Sequence, residues 1–184
     1  MAMVTMAAST DPLQSVTMIL RPATPDDLPL LRAWDNREHV VKAAGAGAAT
    51  DWAAALQADR HDGMEILIAC DRDRPLGAVT LLRTGADTTE FWHAETPGRR
   101  AVDLWVGEAA DLGQGHGRAM LRLALARSFA ARGVEVVLAA PLARNMGART
   151  FLLRQGFTER GRRVHGHDVR IIYRMPRHGW RYAR

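Results

Sequence analysis

At 184 residues and 20.3 kDa the chain fits one domain, able to bury about 70% of its unfolded surface without a metal or disulfide. Its 47% hydrophobic and 24% charged residues exclude disordered, collagen-like and coiled-coil chains, and a single cysteine, Cys70, excludes an internal disulfide and Cys-paired zinc or redox motifs. The net charge of +5 is uneven, because residues 144–184 hold 11 Arg against Glu159 and Asp168 while residues 1–143 hold 14 basic and 18 acidic residues; a basic end of this kind does not by itself imply nucleic-acid binding.

Residues 1–15 read as a flexible leader, since no basic residue precedes Arg21 and no apolar core of signal-peptide length is present. No later segment approaches the roughly 18 apolar residues of a membrane span, so a cytoplasmic protein without membrane contact is expected. Val16–Arg21 is β-prone, and Thr24-Pro25-Asp26-Asp27 then supplies a cap, a Pro at the first helical position and early acids for a helix carrying Leu28, Leu31 and Trp34. A loose, mobile Gly/Ala stretch from Ala43 to Ala49 leads to a second helical pattern from Thr50 to about Ala58. Glu65–Cys70 and Leu76–Arg83 form a hairpin through Asp71-Arg72-Asp73-Arg74-Pro75. After a polar linker, Thr84–Arg99, come a strand from Arg100 to Val106, a glycine-rich turn and a helix from about Gly117 to Arg132 closed by Gly133. A strand at Val134–Ala139, a helix at Asn145–Gln155 stopped by Gly156, and short strands at Phe157–Arg160 and Val169–Arg174 finish a single mixed α+β domain without internal repeats.

The stretch Gly113-Gln114-Gly115-His116-Gly117-Arg118 lets a strand enter a helix through three alternating glycines. Converging backbone N–H groups and the positive helix end favour a phosphate or pyrophosphate there; a merely tight turn is the alternative. A Walker A loop is ruled out because Arg118-Ala119 follows Gly117, and a dinucleotide fingerprint because Arg118 and Met120 stand where its third glycine belongs. Asp103 is the only acid between Ala101 and Gly107. Alternation sets it on one face with Ala101 and Trp105, while Val102, Leu104 and Val106 take the other. A carboxylate on a central strand is costly unless paired or functional, and pairing with a neighbour such as Arg100 is the alternative to a catalytic role.

Leu112-Gly113-Gln114-Gly115-His116-Gly117 resembles the pyrophosphate loop Q/R-x-x-G-x-G/A of the GNAT superfamily of acyl-CoA-dependent N-acyltransferases, with Leu112 in place of Gln or Arg. Asn145-Met146-Gly147-Ala148, followed by Gln155-Gly156-Phe157, looks like that family's N-x-x-A helix ending in G-F. From about Val16 to Arg177 the chain is most similar to the aminoglycoside 6′-N-acetyltransferases, through Trp34-Asp35-Asn36-Arg37-Glu38-His39-Val40 and Glu95-Thr96-Pro97-Gly98-Arg99-Arg100-Ala101-Val102-Asp103.

The resemblance implies a GNAT fold over residues 16–177: a mixed, mostly antiparallel sheet flanked by helices, with strands 4 and 5 splayed apart. Residues 178–184 would then be a basic tail. It implies acetyl-CoA as co-substrate, no metal, and Asp103 as the active-site aspartate that orients or deprotonates the acceptor amine. Leu104, Trp105 and Val106 would hold the pantetheine and polarise the acetyl carbonyl by backbone amides. Gly113, Gln114, Gly115, His116, Gly117 and Arg118 would bind the pyrophosphate, with Asn145 and Ala148 nearby. His116 could contribute its ring or only its N–H.

The acceptor implied is a polycationic amine, above all the 6′-amine of an aminoglycoside antibiotic, met by Asp103 with Asp87, Glu90 and Glu95 and by the walls Phe91 and Trp92. The similar enzymes carry a Trp pair at Ala43-Ala44, an acid at Ala140 and a thiolate-protonating Tyr at Leu152. Only Tyr173 and Tyr182 remain as tyrosines, and neither is in the matching helix. Acetylation of a polyamine, siderophore precursor or protein N-terminus, and a non-catalytic CoA- or nucleic-acid-binding module, are the other functional classes. His165-Gly166-His167 lacks surrounding ligands and reads as a polar loop rather than a metal site. Trp34, Trp52, Trp92 and Trp105 read as core or pocket-wall aromatics.

Overall fold

Seven strands give the frame of the computed structural model, which describes residues 18–45, 50–57, 63–85, 90–92 and 97–182. β1 (Met18–Pro22), β2 (Met64–Asp71), β3 (Arg74–Arg83) and β4 (Arg99–Val106) run antiparallel in succession. β5 (Val136–Ala139) lies parallel to β4, and β6 (Thr158–His165) and β7 (Asp168–Pro176) complete the order β1-β2-β3-β4-β5-β7-β6. The helices are α1 (Leu28–Asp35), α2 (Glu38–Ala44), α3 (Trp52–Gln57), α4 (His116–Ala130), α5 (Met146–Arg154) and α6 (Arg177–Tyr182). The mixed, mostly antiparallel sheet implied by the sequence is therefore present.

Alternation along β4 partitions the core as expected. Val102 and Val106 enter the main cluster, where Met120, Leu121, Ala124 and Leu125 of α4 lie against Val79, Leu81 and Val137. On the opposite face Trp105 joins Trp34, Trp52, Ile66 and Ile68 under α1 and α3, while Ala101 joins Trp92, Leu138 and Ile172. Position 107, just past β4, has to be a glycine, because a Cβ there would lie 2.1 Å from the Trp34 ring. Asp103 falls between these two smaller clusters, over a part of the sheet that neither covers.

Several local expectations change. The first helix is two: Asn36 donates to the Arg32 carbonyl at 2.7 Å, ending α1, and α2 then runs to Ala44. Ala43 and Ala44 are thus helical rather than part of a loose stretch, whose residues 46–49 lie outside the described residues. The β2–β3 link shrinks to Arg72-Asp73, since Asp71 and Arg74 already pair and Arg72 turns the chain at φ 54°. β6 and β7 outrun the short strands expected, because nearly all of β6 is exposed at the sheet edge and carries no apolar alternation to mark its length.

The basic C-terminal end opens as a helix. Arg177 donates to the carbonyls of Phe129 at 2.7 Å, Ala131 at 3.2 Å and Val134 at 2.5 and 2.9 Å, and its guanidinium lies 5.3 Å over the Phe129 ring. It thereby satisfies carbonyls around the end of α4, and Trp180 stacks on the same ring at 6.5 Å. Arg177→Ala should cost about 2–4 kcal/mol, read as a lower urea midpoint at unchanged slope.

Candidate active site

β4 and β5 share three register pairs, Arg99 with Val136, Arg100 with Val137 and Ala101 with Leu138, and then part. β4 continues to Val106 on β3 alone. The Gly107 amide donates to Leu76 of β3 at 2.8 Å, so the two-residue repeat points the Trp105 and Asp103 amides toward β3 and those of Leu104 and Val106 toward the opening. Main-chain donors therefore line the place where the strands diverge.

Asp103 stands at the start of this opening and lines a cleft of about 490 Å³ with Thr80, Leu82, Phe91, Trp92, Ala101 and Ala140. The pairing with Arg100 considered from the sequence does not form, because Arg100 reaches Glu65 at 3.3 Å, which also binds Arg127 at 2.6 Å. Asp103 Oδ1 instead accepts the Leu104 N–H at 2.9 Å. The Asp103 side chain is exposed to solvent through the cleft, and the protein mass packed around it pushes its pKa up, against the Leu104 N–H and the charge of Arg170. Behind Trp105, Trp52 donates to Asp35 at 2.5 Å, and burial raises the Asp35 pKa against that bond.

The glycine loop follows. Gly113 and Gly115 have φ of 75° and 86°, and Gly115 caps α4, whose first residues are His116 and Gly117. Gly117 needs no such φ, and a Cβ there would meet nothing nearer than Phe151 Cζ at 4.0 Å, so the protein itself does not require a glycine. Both acids ahead of the glycines are matched: Asp111 by Arg74 at 3.0 Å and Glu108 by Arg37 at 2.9 Å. Gln114 donates to the Ala110 carbonyl at 2.6 Å. Arg118 and Arg122 are exposed beside the loop, whereas the His116 ring is buried with Nε2 unpartnered, leaving its backbone as the part that faces the loop. An unobstructed turn at a helix N-terminus, with its acids neutralised, fits the diphosphate of a nucleotide co-substrate such as acetyl-CoA.

Asn145 caps α5, its Oδ1 accepting the Ala148 N–H at 3.0 Å. Leu152 is buried in the main core. Tyr173, also fully buried, donates to Glu159 at 3.1 Å and accepts from Arg149 at 3.2 Å, so its hydroxyl is occupied at the β6 side of β7. Phe91 and Trp92 form one cleft wall in a 3-10 turn, Glu90–Trp92, with Phe91 edge-on to Trp92 at 4.6 Å and to His165 at 5.5 Å. Asp87 and Glu95 lie outside the described residues, as does the Glu90 side chain.

Sequence reasoning missed the opposite wall. The β6–β7 turn brings His165, Gly166 and His167 to the cleft, and β7 adds Asp168 and Arg170. Two histidines beside a glycine mark that turn in the sequence; nothing marks Arg170 among its many fellow arginines. Among the described residues no group of His, Cys, Asp and Glu could hold a metal ion, and no helix is long and apolar enough to cross a membrane.

A family model described as an acetyltransferase (GNAT) domain matches residues 23–164. Aminoglycoside N(6′)-acetyltransferase type 1 from Klebsiella pneumoniae is 28% identical over 152 residues, covering 79% of this chain and 76% of its own; the enzyme of the same description from Serratia marcescens matches equally. The crystal structure of aminoglycoside acetyltransferase AAC(6′)-Ib in complex with coenzyme A superposes at TM-score 0.79 and 22% identity, over 90% of this chain and 98% of that one. The complex of AAC(6′)-Ib with paromomycin and acetyl-CoA gives 0.80 and 22%, over 91% and 97%.

Proposed function

The chain belongs to the GNAT family of acetyltransferases, and from that premise we propose that its acceptor is an aminoglycoside, acetylated on the 6′-amine as a step in antibiotic resistance. The enzyme is an acetyl-CoA-dependent N-acetyltransferase. The observation that carries the acceptor reading is the carboxylate of Asp103, without an ion-pair partner among the described residues, beside the opening between β4 and β5 and under aromatic walls. The curated relatives named for this activity add their support.

In this reading the glycine loop from Gly113 to Arg118 holds the pyrophosphate, and Asn145 and Ala148 border the pantetheine. Acetyl-CoA, when bound, supplies an acetyl group activated as a thioester. Asp103 orients the acceptor ammonium and takes its proton, freeing the nitrogen lone pair to attack the thioester carbonyl carbon. The Val106 amide donates to the carbonyl oxygen as negative charge builds on it, while the Leu104 N–H holds Asp103 Oδ1 and so fixes the carboxylate beside it. The new N–C bond forms as the C–S bond breaks, and the electron pair leaves with sulfur. Phe91 and Trp92 form the wall for the acceptor's apolar faces. A cytoplasmic site, where the buried Cys70 stays a free thiol, accompanies this reading.

A second acceptor class is favoured by one observation: Ala140 leaves no acid after β5, and Arg170 puts a positive charge in the cleft. A less cationic primary amine, such as a siderophore precursor, suits that wall better than a polycation. Thiol release with a panel of amines separates the two. Kanamycin should stimulate release, an analogue with a 6′-hydroxyl should not, and added salt should raise the acceptor KM by screening charged contacts. Activity on an unrelated amine, with none on kanamycin, decides for the second class.

A further inference from the structure

α2 bridges the mouth of the opening between β4 and β5. Its leading end is fastened to the end of β4: Arg37 binds Glu108 at 2.9 Å, and His39 Nε2 lies 2.9 Å from the Val106 carbonyl. Its trailing end is fastened to the other arm. Arg170 on β7 donates from Nη2 to the Ala44 carbonyl at 2.8 Å and from Nη1 to the Ala140 carbonyl at 3.0 Å. Gly45 rests on Asp168, so closely that a Cβ would lie 2.3 Å from Oδ2, and Asp168 is held in turn by Arg144 at 2.8 Å. One guanidinium thus joins α2, the end of β5 and β7.

We propose that Arg170 is a positioning residue of acetyl transfer, holding α2 across the opening and setting a fixed positive charge on the cleft wall against Asp103. Among the described residues no carboxylate lies within ion-pair distance of Arg170, so its charge is not spent locally. The other titratable groups around the cleft are His165 and His167 from the hairpin turn and Asp168, which Arg144 neutralises; Asp35 lies beyond Trp105 on Trp52. The two carbonyls, in different elements, are met by different nitrogens of one planar fork, a geometry that a lysine's single ammonium nitrogen does not reproduce. Since burial drives the Asp103 pKa upward and Arg170 opposes it, removing the guanidinium should shift the acid limb of activity toward higher pH.

The proposal rests on Asp103 serving the acceptor amine, and the test separates the two. Steady-state kinetics of the full chain with its best amine from the panel are measured for Arg170→Ala, Arg170→Lys and Asp103→Asn, across pH and with added guanidinium ion. Arg170→Ala should lose about 10²-fold in kcat/KM for the acceptor, at unchanged KM for acetyl-CoA, as expected of a misplaced binding wall. Its acid limb should move up, and guanidinium at low millimolar concentration should restore part of the rate. Arg170→Lys should keep the wild-type acid limb and still lose rate, which carries the test if the alanine variant does not fold. Wild-type kinetics and pH profile in both Arg170 variants overturn the proposal, as does an equal loss toward both substrates without guanidinium rescue. An acid limb that persists unchanged in Asp103→Asn instead overturns the Asp103 reading and with it the charge part of the proposal, while the acceptor KM and guanidinium rescue still judge the tether.

Discussion

Asp103→Asn is expected to lower turnover with the best amine by about two to four orders of magnitude while the dissociation constant of acetyl-CoA stays within twofold. In the proposed reading the carboxylate serves the acceptor, whose cleft it lines, and main chain meets the co-substrate, so the loss would belong to the chemical step. pH supplies a second signature. Burial raises the Asp103 pKa, so the wild-type enzyme should lose kcat/KM as pH falls through that raised value, and the Asn variant should lack this limb. The sign for stability is the reverse of a salt-bridged acid: the folded state binds the proton more tightly than the unfolded one. An ionised Asp103 therefore costs stability, beginning above the ordinary carboxylate pKa and in full above the raised one. At neutral pH the Asn variant should melt no lower than the wild type. Near-wild-type turnover in a well-folded Asp103→Asn protein would sink the assignment.

Gly115→Val should abolish the rise in melting temperature caused by acetyl-CoA, which for a ligand at 100 times its dissociation constant corresponds to about 2.7 kcal/mol. A β-branched residue at φ 86° is also strained in its own right, so this variant alone does not isolate the ligand effect. Gly117→Ala does. The added methyl meets no protein atom closer than 4.0 Å and sits in the first turn of α4, where Ala favours helix by up to about 1 kcal/mol over Gly. The free protein should be as stable or more so, and acetyl-CoA should bind at least tenfold more weakly because the backbone can no longer approach the diphosphate. Retained ligand stabilisation in both variants would move the diphosphate elsewhere.

What could be read from residues alone was local. The β4 stretch, the three glycines and α4 lie close together in sequence, and their periodicities and φ demands are written in side-chain types. The faces of Ala101, Asp103 and Trp105 came from the same short-range rule. The second cleft wall was not legible, because Arg170 meets Ala44 from 126 positions away and its partners are carbonyls, which every residue has. The fate of Arg100 was likewise set across the sheet: Glu65 on β2 outcompetes Asp103, which points to the opposite face. α2 escaped notice because Ala43 and Ala44 followed by Gly45 look the same in a frayed loop as in a helix pinned at both ends.

The divergence of β4 from β5 also bears on how such an enzyme changes over generations. The donors aimed into that gap belong to peptide groups, so replacing Leu104, Trp105 or Val106 alters packing on the sheet faces and leaves the donors where they were. In the proposed reading acceptor choice rests on other ground, the turn at Phe91–Trp92 and the hairpin tip at His165–Arg170, whose side chains line the cleft. On that reading, mutation can rewrite which amine is chosen without disturbing the groups assigned to activate the acetyl donor. Retargeting of this enzyme should be reached by substitutions confined to those two segments and to the end of α2.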